Sequence, residues 1–272
     1  MSSGFFQMKL SPNSTKYTAF NTCFGTYKFL RVPMGLHTAP NSFQLLMDKI
    51  LRKLTFRSCL CYLDDVLMCS ETFEQHLSNI QEFFDRFRQA GLNLNSKKCS
   101  FAQSSVIFLG HRISKDGIRS PPDRVKALSE FPAPNNTKQL RCALGMFNWF
   151  RKYINNCSSI AELLTPLLKK NVKFMWTNEQ EMSFKKLKNS LMNSEILSFP
   201  RFDLPFVLAV YSSTDIGYIL YQRNPDNSDD KVQIIRFGSK SLNTWQKSYG
   251  PTKLELLGVV TSTVTCAEIN LP

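Results

Sequence analysis

Two adjacent carboxylates, Asp64 and Asp65, stand between two apolar runs that read as strands, residues 58–62 and 66–69. Successive side chains on a strand point to opposite faces, so both acids can serve one site only if the backbone turns sharply between the runs. Tyr62-Leu63-Asp64-Asp65 is therefore predicted to be the tip of a hairpin. Two carboxylates at such a tip can hold two Mg²⁺ ions, which activate an attacking oxygen and steady a leaving one in phosphoryl transfer. An Asp-Asp pair is also ordinary in a solvated turn, and the tetrapeptide by itself leaves both readings open.

Composition bears on size and partner. A chain of 272 residues with 43% hydrophobic content can bury one large core or two to three small ones, which excludes a disordered tail. Lys and Arg number 34 against 21 acids, a net charge of +13, which suits a polyanion such as nucleic acid; a merely basic surface is the alternative. The eight cysteines show no Cys-x-x-Cys spacing, and His37, His76 and His111 lie far apart, so zinc binding has no support. There is neither a signal peptide nor an apolar run near the roughly eighteen residues a membrane span needs. The expectation is an intracellular protein, cytoplasmic or nuclear, with reduced thiols and no membrane segment.

Periodicity places the other elements. Residues 40–54 carry a helical stripe of Phe43, Leu46, Met47, Ile50, Leu51 and Leu54, with Pro40 suited to a first turn. Residues 71–90 repeat the pattern, and Gly91 is a natural stop. Strands are predicted at residues 104–109 and 111–114, the second closed by Lys115-Asp116-Gly117. Prolines between residues 119 and 136 mark a boundary. Beyond it Thr137 is predicted to cap a helix whose apolar face is Leu140, Leu144, Phe147, Phe150 and Ile154, leaving Lys138, Arg141, Arg151 and Lys152 towards solvent. That basic face suits either a phosphate backbone or plain solvation. Thr177 and Gln180 form a capping box for a helix over residues 179–192. Strands follow at residues 206–210, 217–222 and 232–237, then a helix opening near Pro251.

Several ordered motifs together resemble the reverse transcriptase and ribonuclease H region of Gypsy/Ty3-type long-terminal-repeat retrotransposon Pol polyproteins. They are Ser3-Gly4-Phe5-Phe6-Gln7, Val32-Pro33-Met34-Gly35-Leu36-His37-Thr38-Ala39-Pro40, Tyr62-Leu63-Asp64-Asp65, Phe108-Leu109-Gly110-His111 and the stretch from Leu140 to Ile154, with Phe174-Met175-Trp176-Thr177 and Phe184-Lys185-Lys186-Leu187-Lys188. The likeness covers nearly the whole chain. It implies an α+β fold: a polymerase palm with a ferredoxin-like sheet and partial fingers over residues 1–118, a thumb-like helical segment over 119–172, a connection over 173–202, and a truncated ribonuclease H-like α/β domain over 203–272.

The resemblance also implies roles. Asp64 and Asp65 would ligate two Mg²⁺ ions and catalyse transfer from a dNTP to a primer 3′-OH on an RNA or DNA template. Phe5 would lie against the sugar and exclude a 2′-hydroxyl; Pro33, Met34, Gly35, Gln44 and Tyr62 would complete the nucleotide pocket. Leu109 and Gly110 would press on the primer, with Arg141, Arg151 and Lys152 on phosphates. The family's third carboxylate would directly precede Met1, so little or no polymerase activity is expected of residues 1–272 alone. In the ribonuclease H part, Tyr211 stands where the family has its first metal-binding Asp, Asp215 is expected past the strand end, and Glu255 matches the second acid as a vestigial ligand. Hybrid cleavage is expected to be lost, and residues 203–272 to be the least stable part. The alternatives are a non-catalytic, element-derived nucleic-acid-binding or interaction protein and, on the acid pair alone, an unrelated metal-dependent nuclease.

Overall fold

The computed structural model describes residues 3–223 and 232–267, and the chain divides into two compact units, Met1–Gln103 and Ser104–Pro272. In the first unit a short helix α1 (Gly4–Gln7) is followed by a hairpin of β1 (Phe20–Thr22) and β2 (Gly25–Tyr27), helix α2 (Ala39–Ile50), a second hairpin of β3 (Cys59–Tyr62) and β4 (Asp65–Met68), and helix α3 (Phe73–Gln89). The i, i+4 rows Phe43, Met47, Leu51 and Phe83, Phe87 form one core with Leu54 and Cys59. Phe5, Leu63, Val66 and Met68 pack against it. α2 is shorter than its apolar stripe predicts. Lys53 and Phe56 take left-handed backbone (φ 73° and 65°), so Leu51 and Leu54 reach the core from beyond the helix end.

α3 begins after Thr72, whose side chain accepts from Gln75 N–H (3.2 Å). It stops at Gly91 (φ 67°). There Leu92 N–H bonds to the Phe87 carbonyl (3.0 Å), the six-to-one bond of a Schellman motif that returns Leu92 to the core.

The second unit opens with an antiparallel meander, β5 (Ser105–Phe108), β6 (His111–Ser114) and β7 (Gly117–Arg119). Helices α4 (Pro122–Ser129), α5 (Thr137–Trp149), α6 (Cys157–Ile160) and α7 (Asn178–Met192) follow. The last elements are the antiparallel strands β8 (Val207–Ser212), β9 (Asp215–Arg223) and β10 (Val232–Ser241), in spatial order β10-β9-β8, and helix α8 (Pro251–Ala267). Leu140, Ala143 and Phe147 of α5 meet Phe184, Leu187 and Leu191 of α7 in the larger core. Tyr218, Leu220, Ile235 and Cys266 form a smaller one.

Two expectations about α5 are corrected. Asn136 caps the helix, its Oδ1 accepting from Gln139 N–H (2.9 Å), and Thr137 is the first helical residue. Arg151 and Lys152 do not extend a solvent-facing basic stripe. The helix ends at Trp149, and the 3-10 turn Arg151–Tyr153 swings both side chains into partly buried positions, where Arg151 donates to the Ser239 carbonyl of β10. The capping box on α7 is present, with Thr177 and Gln180 bonded to each other. All eight cysteines are unpaired thiols. Among the described residues no helix is long and apolar enough to cross a membrane.

Candidate functional site

Tyr62 pairs with Asp65 across β3 and β4, leaving Leu63 and Asp64 as a two-residue turn. Such a tight connection requires positive φ, and Leu63 supplies it at 51°. Left-handed backbone costs a branched residue about 1–2 kcal/mol, so something must hold it. Two contacts do. The Leu63 side chain packs against the core, and Leu63 N–H donates to Gln44 Oε1 at 2.7 Å. Gln44 Nε2 in turn donates to the Cys61 carbonyl (3.3 Å) and to Asp48 Oδ1 (2.8 Å). One side chain of α2 thus grips the chain on both sides of Tyr62, where β3 enters the turn, leaving the adjacent Asp64 and Asp65 exposed at the tip.

The donor set at that tip is hard oxygen. Cys61, just inside it, is kept as a thiol: burial, with Cys59, Asp48, Asp64 and Asp65 adding negative potential, pushes it up to about 12. It therefore offers no thiolate to a soft metal. Two exposed carboxylates fit a hard divalent cation whose remaining positions are filled by water or substrate oxygens. Among the described residues no group of three or more His, Cys, Asp or Glu side chains converges into a closed metal cage.

The other predicted pocket residues of this unit divide by burial. Phe5 is half-buried, its ring edge-on to Phe43 (5.5 Å, 75°), and it shares a core with Leu63 and Val66 of the tip. Gly4 has room only for hydrogen, since a Cβ there would lie 2.8 Å from the Phe43 ring. Val32 N–H bonds to the Met8 carbonyl (3.1 Å), which ties the segment before α2 to the exit of α1. Pro33 is buried beside that tie, while Met34 and Gly35 (φ 93°) are exposed. Tyr62 is also exposed.

In the second unit Leu109 and Gly110 form the two-residue turn between β5 and β6, both with positive φ (48° and 75°). A Cβ on Gly110 would stand 3.4 Å from Trp149 Nε1. The adjoining His111 stacks on Trp149 (6.0 Å, 8°), and its Nδ1 lies 3.0 Å from the Tyr153 hydroxyl. Burial, with Lys152 close by, pushes His111 down to about 4. Burial, helped by Arg236, pushes Lys152 down to about 8, and Tyr153 is raised by burial. His111 is thus an uncharged clamp between turn and helix. Sequence reading missed this cluster, because residues 42 positions apart carry no local signal. Arg141 is exposed on α5.

In the C-terminal sheet, Gly258 of α8 lies over Ser212 and Val210 of β8, and a Cβ there would stand 3.0 Å from Val210 Cγ1. Val210 and Ser212 therefore face α8, and Tyr211 between them faces away, 62% exposed. Glu255 is exposed on α8. Asp215 does lie past the end of β8, yet it opens β9 and is buried. Burial and then Glu162 raise its carboxyl above the usual range.

Comparison with known proteins agrees along the chain. Residues 1–113 match the family described as reverse transcriptase (RNA-dependent DNA polymerase), and residues 176–269 match the RNase H-like domain found in reverse transcriptase. The chain is 37% identical over 267 residues to the retrovirus-related Pol polyprotein from transposon 297 of Drosophila melanogaster, covering 97% of this chain and 24% of that protein. It spans about a quarter of the length of that relative. Among solved structures, the foamy viral protease-reverse transcriptase in complex with double-stranded DNA superposes with a TM-score of 0.88 at 21% identity, covering 98% of this chain and 46% of the other. The same viral protein in complex with an RNA/DNA hybrid gives 0.85 at 21% identity, covering 98% and 36%.

Proposed function

We propose, for a chain that belongs to the reverse transcriptase family of retrovirus-related Pol polyproteins, that it supplies the catalytic hairpin of an RNA-directed DNA polymerase. The reaction is nucleotidyl transfer from a dNTP to a primer 3′-OH. The observation that carries this reading is the Gln44-gripped turn that presents Asp64 and Asp65 together at an exposed tip. Mg²⁺ held there by the two carboxylates would supply the charge that lowers the pKa of the primer hydroxyl and neutralises the leaving pyrophosphate. The chain's own part is placement, and about 1 Å of misplacement costs on the order of 100-fold in rate.

Phe5, rigid against Phe43, supports the role of sugar gate, and Pro33, Met34, Gly35 and Tyr62 that of nucleotide pocket. Gln44, by holding the turn, would help set that pocket. In the second unit, Leu109 and Gly110 present a turn stiffened by His111 and Trp149, which suits a rigid primer contact; Arg141 is the exposed cation of α5 and the better phosphate ligand. Arg151 and Lys152, already partnered, serve that helix end instead. By this reading residues 1–118 are palm with partial fingers, 119–172 thumb-like, 173–202 connection and 203–272 ribonuclease H-like. The partners are template-primer and dNTPs, and the work is intracellular. Tyr211 turned away from α8 supports no hydrolytic role for the last segment.

The test is primer extension on an RNA template with Mg²⁺ and dNTPs. It uses a transposon-297-type Pol protein in which residues 1–272 replace the matching segment. Extension that Asp64→Asn or Asp65→Asn abolishes supports the reading. A folded chimera that extends equally well with either substitution sinks it.

A further inference from the structure

Strand β9 has two differently employed faces. Tyr218 and Leu220 lie in the small core with Cys266 of α8, so Asp215, Gly217 and Ile219 face the other way. That second face meets the stretch of chain between α5 and α7. Ile219 and its cross-strand partner Phe237 pack into the larger core with Tyr153 and Cys157. Gly217 has room only for hydrogen, because Asn156 Oδ1 fills the place of a Cβ. Ser239, paired with Gly217, accepts twice from the same stretch: its carbonyl from Arg151 and its Oγ from Ser158 N–H at 2.9 Å. The result is a polar seam internal to one compact unit.

At the end of this seam stands a misfit. Asp215 is 6% exposed, yet among the described residues its carboxyl has one hydrogen-bond partner, the Thr214 hydroxyl, long at 3.5 Å. The charged groups facing it are Glu162, from the turn after α6, and Lys247, from the 3-10 turn Gln246–Ser248. Lys247 is already engaged. Its Nζ donates to Glu162 Oε1 at 2.7 Å, and with both side chains 46% exposed, water screens what it lends to Asp215. A buried acid with a purely structural role holds a strong donor, and Asp215 holds none among the described residues.

We propose that the seam is a proton-sensitive latch: protonated Asp215 seats the C-terminal sheet on residues 151–162, and ionised Asp215 loosens it. Burial and then Glu162 raise the Asp215 carboxyl, so the folded chain holds that proton more tightly than the unfolded one. The Asp215 contribution is therefore fully present below the ordinary carboxylate value and is lost as pH rises through the raised one. At neutral pH a carboxylate is left in the seam, which makes the seam the joint that opens first. The latch is a matter of docking, and it holds whether or not the Asp64 hairpin catalyses.

The experiment is native-state hydrogen exchange on residues 1–272, read at the Ser158 amide, which crosses the seam, with the Leu92 amide of the first unit as reference. Asp215→Asn keeps the shape and cannot ionise. At about pH 7 it should raise Ser158 protection severalfold over the native chain and leave Leu92 unchanged, and at about pH 4 the gap should close. Lower protection in the variant at neutral pH would make Asp215 an ordinary ion-pair partner of Lys247 and overturn the proposal. So would equal protection at both pH values, or a gap that persists in acid, which would assign the gain to packing. If Asp215→Asn does not fold, the native chain carries the test: Ser158 protection must fall relative to Leu92 as pH rises from about 4 to about 7, and a constant or rising ratio overturns the latch.

Discussion

Replacing Gln44 with Leu removes the acceptor for Leu63 N–H and the donor to the Cys61 carbonyl while keeping similar bulk. Loss of bonds from a partly buried turn already held in left-handed backbone should cost about 1–3 kcal/mol. We expect a lower melting temperature for Gln44→Leu; an unchanged melt would show that core packing of Leu63 alone holds the tip. Asp64→Asn and Asp65→Asn behave oppositely. Both side chains are exposed, so stability should move by less than about 0.5 kcal/mol while extension is abolished. His111 sets a pH dependence. Its folded pKa, about 4, lies below the ordinary 6.5, so the unfolded chain binds more protons between those values. The His111 contribution is therefore fully present above pH 6.5 and is lost as pH falls towards 4. With His111→Gln the decline in melting temperature across that window should flatten, and an unaltered decline would assign it to other groups. The site acids were legible as residues, since Asp-Asp between apolar runs is a local pattern; the Gln44 and His111 contacts were not, because both join distant parts of the chain.

At the scale of elements, helix bodies follow from apolar spacing and their ends from caps. The correction at α5 is testable on that footing. Asn136→Ala should destabilise by about 1 kcal/mol and Thr137→Ala by only a few tenths, because Asn136 holds Gln139 N–H. Equal costs would return the cap to Thr137. The sequence reading places the cap at Thr137, and only the backbone, extended at Asn136, moves it back by one residue. α2 shows the converse limit: its apolar stripe runs to Leu54, but left-handed backbone at Lys53 ends the helix early while the stripe still reaches the core. Close approach is equally invisible in sequence. Gly258 lets α8 lie on β8, so Gly258→Val should lower hydrogen-exchange protection of β8 and β9 by overpacking, by about 1–3 kcal/mol.

For the whole molecule, the net charge of +13 predicts nucleic-acid binding whose log affinity falls linearly with log salt concentration. Salt-independent binding, or none, would reduce the excess of Lys and Arg to a merely basic surface. The α+β class, the longer helices, most of the strands and the family were legible in the sequence, because periodicity, capping residues and short ordered motifs are local and survive in one dimension; the short elements α1, β1, β2, β7, α4 and α6 carry too few residues for a period to show. Arg151 and Lys152 mark where that legibility ends. Their charges read as a solvent face on helical spacing, but the helix stops two residues too soon and they turn towards β10. Asp215, four residues past Tyr211, lies past the end of β8 as expected, but its burial at the start of β9 has no local signal in the sequence. The sequence by itself determined where the longer helices and most strands form and which residues are chemically able to act, since both depend on side-chain type and near-neighbour spacing. Only the tertiary structure decided which polar groups are held, buried or left exposed, since those depend on contacts between residues tens of positions apart.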